Sequence, residues 1–366
     1  MARECIGDKH PRPDQAGQEL SLGPSLRWPT PPEPAPLQPL LRIGPLTLSS
    51  HLVCAPLAGV THSAFRRLVA ELGGCGLQFT EMLSGRSLLH EDLRSSPYVK
   101  RRPAERAVFY QLMLRPGDPI ERIVGRLSDI APDGIDLNLA CDAPAIRLLG
   151  AGSALFDDLP ALAAVLREAR RCWAGPLTVK IRLGHATPDW EARFAERLSL
   201  IEDAGVDAIT LHARFFEDKR KRPARHERLA WATSRTRLPI IGNGDIAGAR
   251  TLHARPAAFA DVAGVMVGRL AIAQPWVFAT WERPLEVDPG AVWLRLHDYI
   301  AEDFEPDVAV KRVRLLTKYF ARNFQFGHGF DVAVRAASTM AAARAVAQRF
   351  FDTEPTRHTE ASMLGL

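Results

Sequence analysis

Eight short apolar segments, rich in β-branched and aromatic residues, recur along the middle of this chain: LVCAPLAGV, LQFTEM, AVFYQLM, GIDLNLAC, LTVKIRLG, AITLHAR, PIIGNGDI and GVMVGRLA. Between them lie amphipathic stretches of helical period, among them HSAFRRLVAELG, DPIERIVGRLSDIAP, ALFDDLPALAAVLREARRCW and DWEARFAERLSLIEDAG. Strands that read as continuous apolar runs are buried on both faces, and alternation with helices makes the sheet parallel. Eight such strands over roughly 220 residues predict an α/β fold, a closed (β/α)8 TIM barrel rather than an open doubly wound sheet. The connections from the first strand to the second and from the second to the third are the least regular. After Phe278 the strand signal stops. AVWLRLHDYIAEDF, AVKRVRLLTKYFARNF and FDVAVRAASTMAAARAVAQRFF carry apolar residues three and four apart, which predicts packed helices. The expected division is a disordered Pro-rich leader over 1–40, a barrel over 41–286, a small helical domain over 287–351 and a polar tail over 352–366.

With 366 residues, 46% of them hydrophobic and 24% charged, the chain can bury a sizeable core, which excludes collagenous and wholly disordered classes. The cysteines (Cys5, Cys54, Cys75, Cys141, Cys172) are odd in number and scattered, without zinc-ribbon spacing. Free thiols in a reducing compartment are expected, with no metal. No run approaches the ~20 apolar residues of a membrane span, and the N-terminus has no signal-peptide core. A cytoplasmic monomer without membrane contact is expected. A net charge of +5 permits a polyanionic partner without requiring one.

In a barrel of this type the active site lies at the C-terminal ends of the strands. Those ends supply Ala55-Pro56-Leu57-Ala58-Gly59, Glu81-Met82, Gln111, Asn138 with Cys141, Lys180 with Arg182, His212 with Arg214, Asn243-Gly244-Asp245, and Gly268-Arg269. The last two are glycine-containing loops after strands seven and eight. There backbone N–H groups and a basic side chain hold a phosphate in many barrels, and Arg269 can pair with it. Lys180 is a cation in a site otherwise lined with amides. It suits negative charge on a reduced flavin ring, with Gln111 and His212 hydrogen-bonding other edges.

The ordered series of motifs resembles the tRNA-dihydrouridine synthase family of FMN-containing barrels. Ala55–Thr61 (APLAGVT), Thr80-Glu81-Met82, Tyr110-Gln111-Leu112, Asp136–Cys141 with Gly150–Leu155, Val179–Arg182, His212–Arg214, Gly242–Ile246, Gly268-Arg269 and Pro275–Phe278 carry the resemblance. It implies FMN reduced by NADPH, a hydride passed to C6 of a uridine flipped out of tRNA, and a proton delivered to C5. Cys141 is similar in position to that acid. The resemblance assigns Asn138, Arg182 and Arg214 to the substrate side. It assigns Ala55, Pro56, Leu57, Gln111, Lys180, His212, Asn243, Gly244, Asp245, Gly268 and Arg269 to the cofactor. The chain departs from the family at Ala140-Cys141-Asp142, where Gly-Cys-Pro is usual, and at Pro144 and Ala145, where a lysine commonly follows. Asp142 is expected to raise the thiol's pKa and keep it protonated, and Arg147 is a stand-in for the lost lysine.

Three basic clusters predict an RNA cleft: Lys219, Arg220, Lys221, Arg222 and Arg225 after strand six; Lys100, Arg101 and Arg102 before strand three; and Lys311, Arg312, Arg314 and Lys318 in the helical domain. The partner is tRNA or another structured RNA. Two alternatives stand beside the uridine-reducing enzyme. One is a flavin-retaining RNA-binding module without turnover, suggested by the residues around Cys141. The other is an FMN reductase of a small molecule, which leaves the basic clusters without a purpose.

Overall fold

The structure, a computed structural model, describes residues 40–218, 222–358 and 361. The leader expected over 1–40 therefore lies outside the described residues except for Leu40, as do Lys219, Arg220, Lys221 and much of the tail. Eight strands form the barrel: β1 (Leu52–Cys54), β2 (Leu77–Phe79), β3 (Val108–Met113), β4 (Gly134–Asn138), β5 (Leu177–Arg182), β6 (Ala208–His212), β7 (Ile240–Asn243) and β8 (Gly264–Val267). Each pairs in parallel with its sequence neighbours, and β8 closes on β1. The eight segments read from the sequence are these strands.

Regularity fails most between β2 and β3. The β1–β2 connection is an ordinary helix, Ser63–Leu72, which buries Phe65, Leu68, Val69 and Leu72 and ends at Gly73 with φ 83°. Between β2 and β3 stand a two-residue strand, Leu83–Ser84, and a four-residue helix, Gly85–Leu88, without a full covering helix.

Inward- and outward-facing residues alternate along each strand, so the barrel holds two cores. The outer one joins strands to helices. The inner one is a floor of Val53, Leu77, Phe79, Phe109, Ile241 and Met266. A hairpin, Arg42–Ile43 with Leu46–Thr47, adds Leu41, Ile43 and Leu48 to that floor. Gly134 faces the same interior, and a Cβ there would sit 2.4 Å from the Phe109 ring. Gly134→Val is expected to destabilise by ~1–3 kcal/mol, the cost of overpacking a full core, measured by urea unfolding. Unchanged stability would mean that the floor can yield.

Four helices follow the barrel: Pro289–Asp303, Pro306–Phe320, Gly327–Ala336 and Met340–Phe351. FDVAVRAASTMAAARAVAQRFF, continuous in its periodicity, is broken into two of them. Ala337 turns extended and the Thr339 side chain accepts the N–H of Ala342, capping a new helix. The helical layer docks on the barrel through ion pairs. Asp303, its side chain wholly buried, bonds Lys100 at 2.7 Å as well as Arg102 and Ser63. Arg67 pairs with Glu302 and stacks over Tyr299, whose hydroxyl donates to Glu71. One expectation is corrected here. Arg101 pairs with Asp133 at 2.8 Å, so Lys100, Arg101 and Arg102 are all spent inside the protein and form no free RNA-facing patch.

Candidate active site at the barrel mouth

Above the apolar floor the inward-facing residues become polar. Gln111 on β3, Asp136 and Asn138 on β4, Thr178 and Lys180 on β5, and Thr210 and His212 on β6 face the interior by strand alternation. Asp136 is fully buried, and its carboxylate accepts from Thr178 Oγ1 at 2.6 Å and Gln111 Nε2 at 2.7 Å. Gln111 Oε1 accepts from Asn138 Nδ2 at 2.9 Å. Asn138 Oδ1 in turn accepts the backbone N–H groups of Ala140 (3.2 Å) and Cys141 (2.9 Å). Burial pushes Asp136 up to about 6, opposed by its bonds to Thr178 and Gln111 and by the charge of Lys180.

Cys141 is half-buried on the loop that leaves β4. Its carbonyl accepts the N–H of Ser153 at 2.9 Å, which requires Gly152: a Cβ there would meet that oxygen at 2.4 Å. Asp142, expected to act on the thiol, turns to Arg182 at 3.5 Å. Arg147 folds back onto Ser153 Oγ at 2.7 Å and Asp157 at 3.6 Å. Its guanidinium is thus engaged by its own segment.

Lys180 has no hydrogen-bond or ion-pair partner among the described residues, although it is nine-tenths buried. Burial and the neighbouring Arg182 bring its ammonium down to about 8, with Asp136 acting the other way. His212 lies well below its usual pKa, first because it is buried and then because Lys180, Arg182, Arg214 and Arg269 surround it. The ring is neutral at pH 7. Arg214 Nη1 stands 3.0 Å from His212 Nε2, and a guanidinium only donates, so Nε2 is the acceptor and Nδ1 carries the proton.

The loops after β7 and β8 are tied together. Asp245, at φ 47°, binds both Arg214 and, at 3.0 Å, Arg269. Burial raises its pKa, but the bonds from Arg214 and the Ala224 N–H outweigh that and leave it lowered. Gly244 has φ 114°, and a Cβ there would lie 2.8 Å from the His212 ring. Asn243 Nδ2 donates to the Met266 carbonyl at 2.8 Å. On the β1 side, Ala55 N–H donates to Val267 at 2.9 Å and Leu57 N–H to Thr61 at 3.0 Å, while Pro56 lies between them. A Cβ at Gly268 would meet Ala55 and Leu57 only at ordinary contact distance. Glu81 accepts from the Gly59 N–H at 2.6 Å, and burial raises its carboxyl.

The fold thus gathers at one mouth the residues that sequence reasoning placed at strand ends. It also brings in two to which sequence reasoning assigned no role, Thr178 and Asp136, the latter named only within the Asp136–Cys141 motif. Asp136 precedes Asn138 by two residues on a strand, which puts both on one face, and that spacing was the available signal.

Of the basic clusters, Arg222 and Arg225 converge on buried Asp218 at 3.5 and 3.2 Å. Arg312 donates to the Tyr98 hydroxyl at 2.9 Å, and Arg314 to the Ala337 carbonyl. Lys311 and Lys318 are exposed on one helix, seven residues apart. Among the described residues no helix is long and apolar enough to cross a membrane. Nor do three or more His, Cys, Asp or Glu side chains gather there to hold a metal ion.

A barrel with this mouth has the build of an enzyme of the (β/α)8 class. The family model for dihydrouridine synthase (Dus) matches residues 53–352, and the chain belongs to that family. It is 28% identical over 329 residues to tRNA-dihydrouridine synthase B of Proteus vulgaris, covering 85% of this chain and 99% of that protein. The enzyme of the same name from Escherichia coli K12 is 29% identical over 332 residues, covering 85% and 100%. A probable tRNA-dihydrouridine synthase of Aquifex aeolicus is 29% identical, covering 74% and 81%. Among solved structures, the old yellow enzyme of Trypanosoma cruzi superimposes with a TM-score of 0.49 at 12% identity, covering 73% and 98%.

Proposed function

We propose that this protein reduces uridine to 5,6-dihydrouridine in tRNA, in the cytoplasm, with FMN as its cofactor and NADPH as the reductant. The observation that carries the reading is the ring of Lys180, His212, Gln111 and Asn138 around the Cys141 loop, in a chain of the dihydrouridine synthase family. The residues fit a flavin phosphate ester. Lys180 is a buried cation with no hydrogen-bond or ion-pair partner among the described residues, His212 offers a neutral Nδ1–H, and Gly244 lets the loop backbone lie close against the His212 ring, where a Cβ would clash at 2.8 Å. Lys180, Gln111 and His212 would hold the ring, and Asn243, Gly244, Asp245, Gly268 and Arg269 the phosphate end, with Ala55, Pro56 and Leu57 against its other side. Held there, a reduced FMN would supply hydride chemistry toward C6 of the uracil.

The chain's own part is to bind, orient and protonate. Asn138 fixes the Cys141 backbone through its Oδ1 and shares the mouth with Arg182 and Arg214, which we assign to the RNA. Cys141 delivers the proton from its Sγ to C5. Lys311 and Lys318, with Lys219, Arg220 and Lys221, are assigned to phosphates.

Two measurements test this. Purified protein should be yellow, and RNA from a deletion strain should lack dihydrouridine that the restored gene returns. Protein that takes up no FMN, or unchanged dihydrouridine in the deletion strain, sinks the reading. Arg269→Ala should weaken FMN binding by ~1.5–3 kcal/mol, the worth of a hydrogen bond to a charged group, in fluorescence titration.

A further inference from the structure

Buried polar groups in the mouth form a chain whose direction is set at both ends. Asp136 is an acceptor when ionised, so Gln111 must turn its Nε2 toward it. Gln111 Oε1 is then the group left to face Asn138, whose Nδ2 donates to it. That leaves Asn138 Oδ1 for the N–H groups of Ala140 and Cys141. Thr178 Oγ1 donates to the second carboxylate oxygen and anchors the far end. No amide in this chain can flip alone, because a flip sets donor against donor or acceptor against acceptor. The bonds lie between 2.6 and 3.2 Å, and those joining Thr178, Asp136, Gln111 and Asn138 run among buried side chains, where each is stronger than it would be in water.

We propose that Asp136 is a positioning residue: its carboxylate polarises a relay through Gln111 and Asn138 that fixes the backbone of Cys141 at the barrel mouth. Asp136 is fully buried with both carboxylate oxygens bonded by Thr178 and Gln111, and it acts through the two amides. The same relay decides which edges Gln111 and Asn138 keep free, one N–H on each amide and a second lone pair on Gln111 Oε1. Those are the groups a bound ring or base would meet. The inference rests on the proposed function only in taking Cys141 as the proton donor.

The test moves the charge by one place without changing its total. Gln111→Glu alone sets two carboxylates face to face, where they repel or must take up a proton. Adding Asp136→Asn restores every donor and acceptor. The amide introduced at position 136 accepts from Thr178 through its oxygen and donates through its nitrogen to the carboxylate now at position 111. That carboxylate still accepts from Asn138. Purified protein labelled with [15N]cysteine reports hydrogen exchange at the Cys141 amide, and needs neither flavin nor RNA. At pH 8.5, Q111E should lower the protection of that amide by about tenfold or more, and D136N/Q111E should return it to within about twofold of wild type. Wild-type protection in Q111E overturns the proposal, as does a double variant that fails to restore it. If Q111E does not fold, the double variant decides, native protection supporting the relay and its loss overturning it. A protein that passes this test yet makes no dihydrouridine keeps the relay and loses the proposed reaction.

Discussion

Cys141→Ala should lower dihydrouridine formation by ~10²–10⁴-fold, the usual contribution of a general acid, while FMN binding and NADPH oxidation stay near wild type. The separation follows from how the residue is held. Its backbone N–H and carbonyl bind Asn138 and Ser153, and alanine keeps both bonds. The half-buried side chain fills little of the core, so the fold should be undisturbed. Arg182 is the nearest counter-charge to Asp142, and the thiol lies on the loop beside that pair. Stopped-flow flavin reduction and nucleoside analysis of RNA, made on the same preparation, read the two halves of the reaction separately. Wild-type modification by the alanine variant would assign the proton to another group. A variant that also loses its flavin would make Cys141 structural.

Arg66→Ala should cost ~3–5 kcal/mol in urea unfolding, the loss recorded when one partner of a buried ion pair is removed. Arg66 and Glu105 both have fully buried side chains and bond to each other. The same guanidinium donates to the carbonyls of Thr61 (2.8 Å) and Lys100 (2.7 Å). It thus joins the loop after β1 to the segment before β3, where only a four-residue helix covers the barrel. Alanine leaves the Glu105 carboxylate buried with the Arg102 N–H as its remaining partner. Arg66→Ala/Glu105→Ala should recover part of the loss, since it removes the orphaned charge. A single-variant cost below ~1 kcal/mol would mean that water reaches Glu105.

Much of the barrel was legible in the sequence because its determinants are local. Continuous apolar runs alternating with stretches of helical period made the eight strands visible. Polar residues at the C-terminal strand ends pointed to one mouth because all parallel strands end on one side. The periodicity of residues 330–351 missed the break at Ala337–Thr339, since a single Thr cap outweighs an apolar repeat that continues through it.

What the sequence by itself determined is the order of the strands and the polar residues at their C-terminal ends, which follow from spacing along the chain. Only the tertiary structure decided how charges and amides are used there. Lys100 and Arg102 read as an RNA patch until Asp303, some two hundred residues away, takes them both. The proton on His212 Nδ1 depends on Arg214 reaching Nε2, and the direction of the Gln111 amide on a carboxylate from the neighbouring strand. Burial is written in a residue's own chemistry and period, whereas a hydrogen bond or ion pair belongs to two residues and exists only once the fold has brought the second one near.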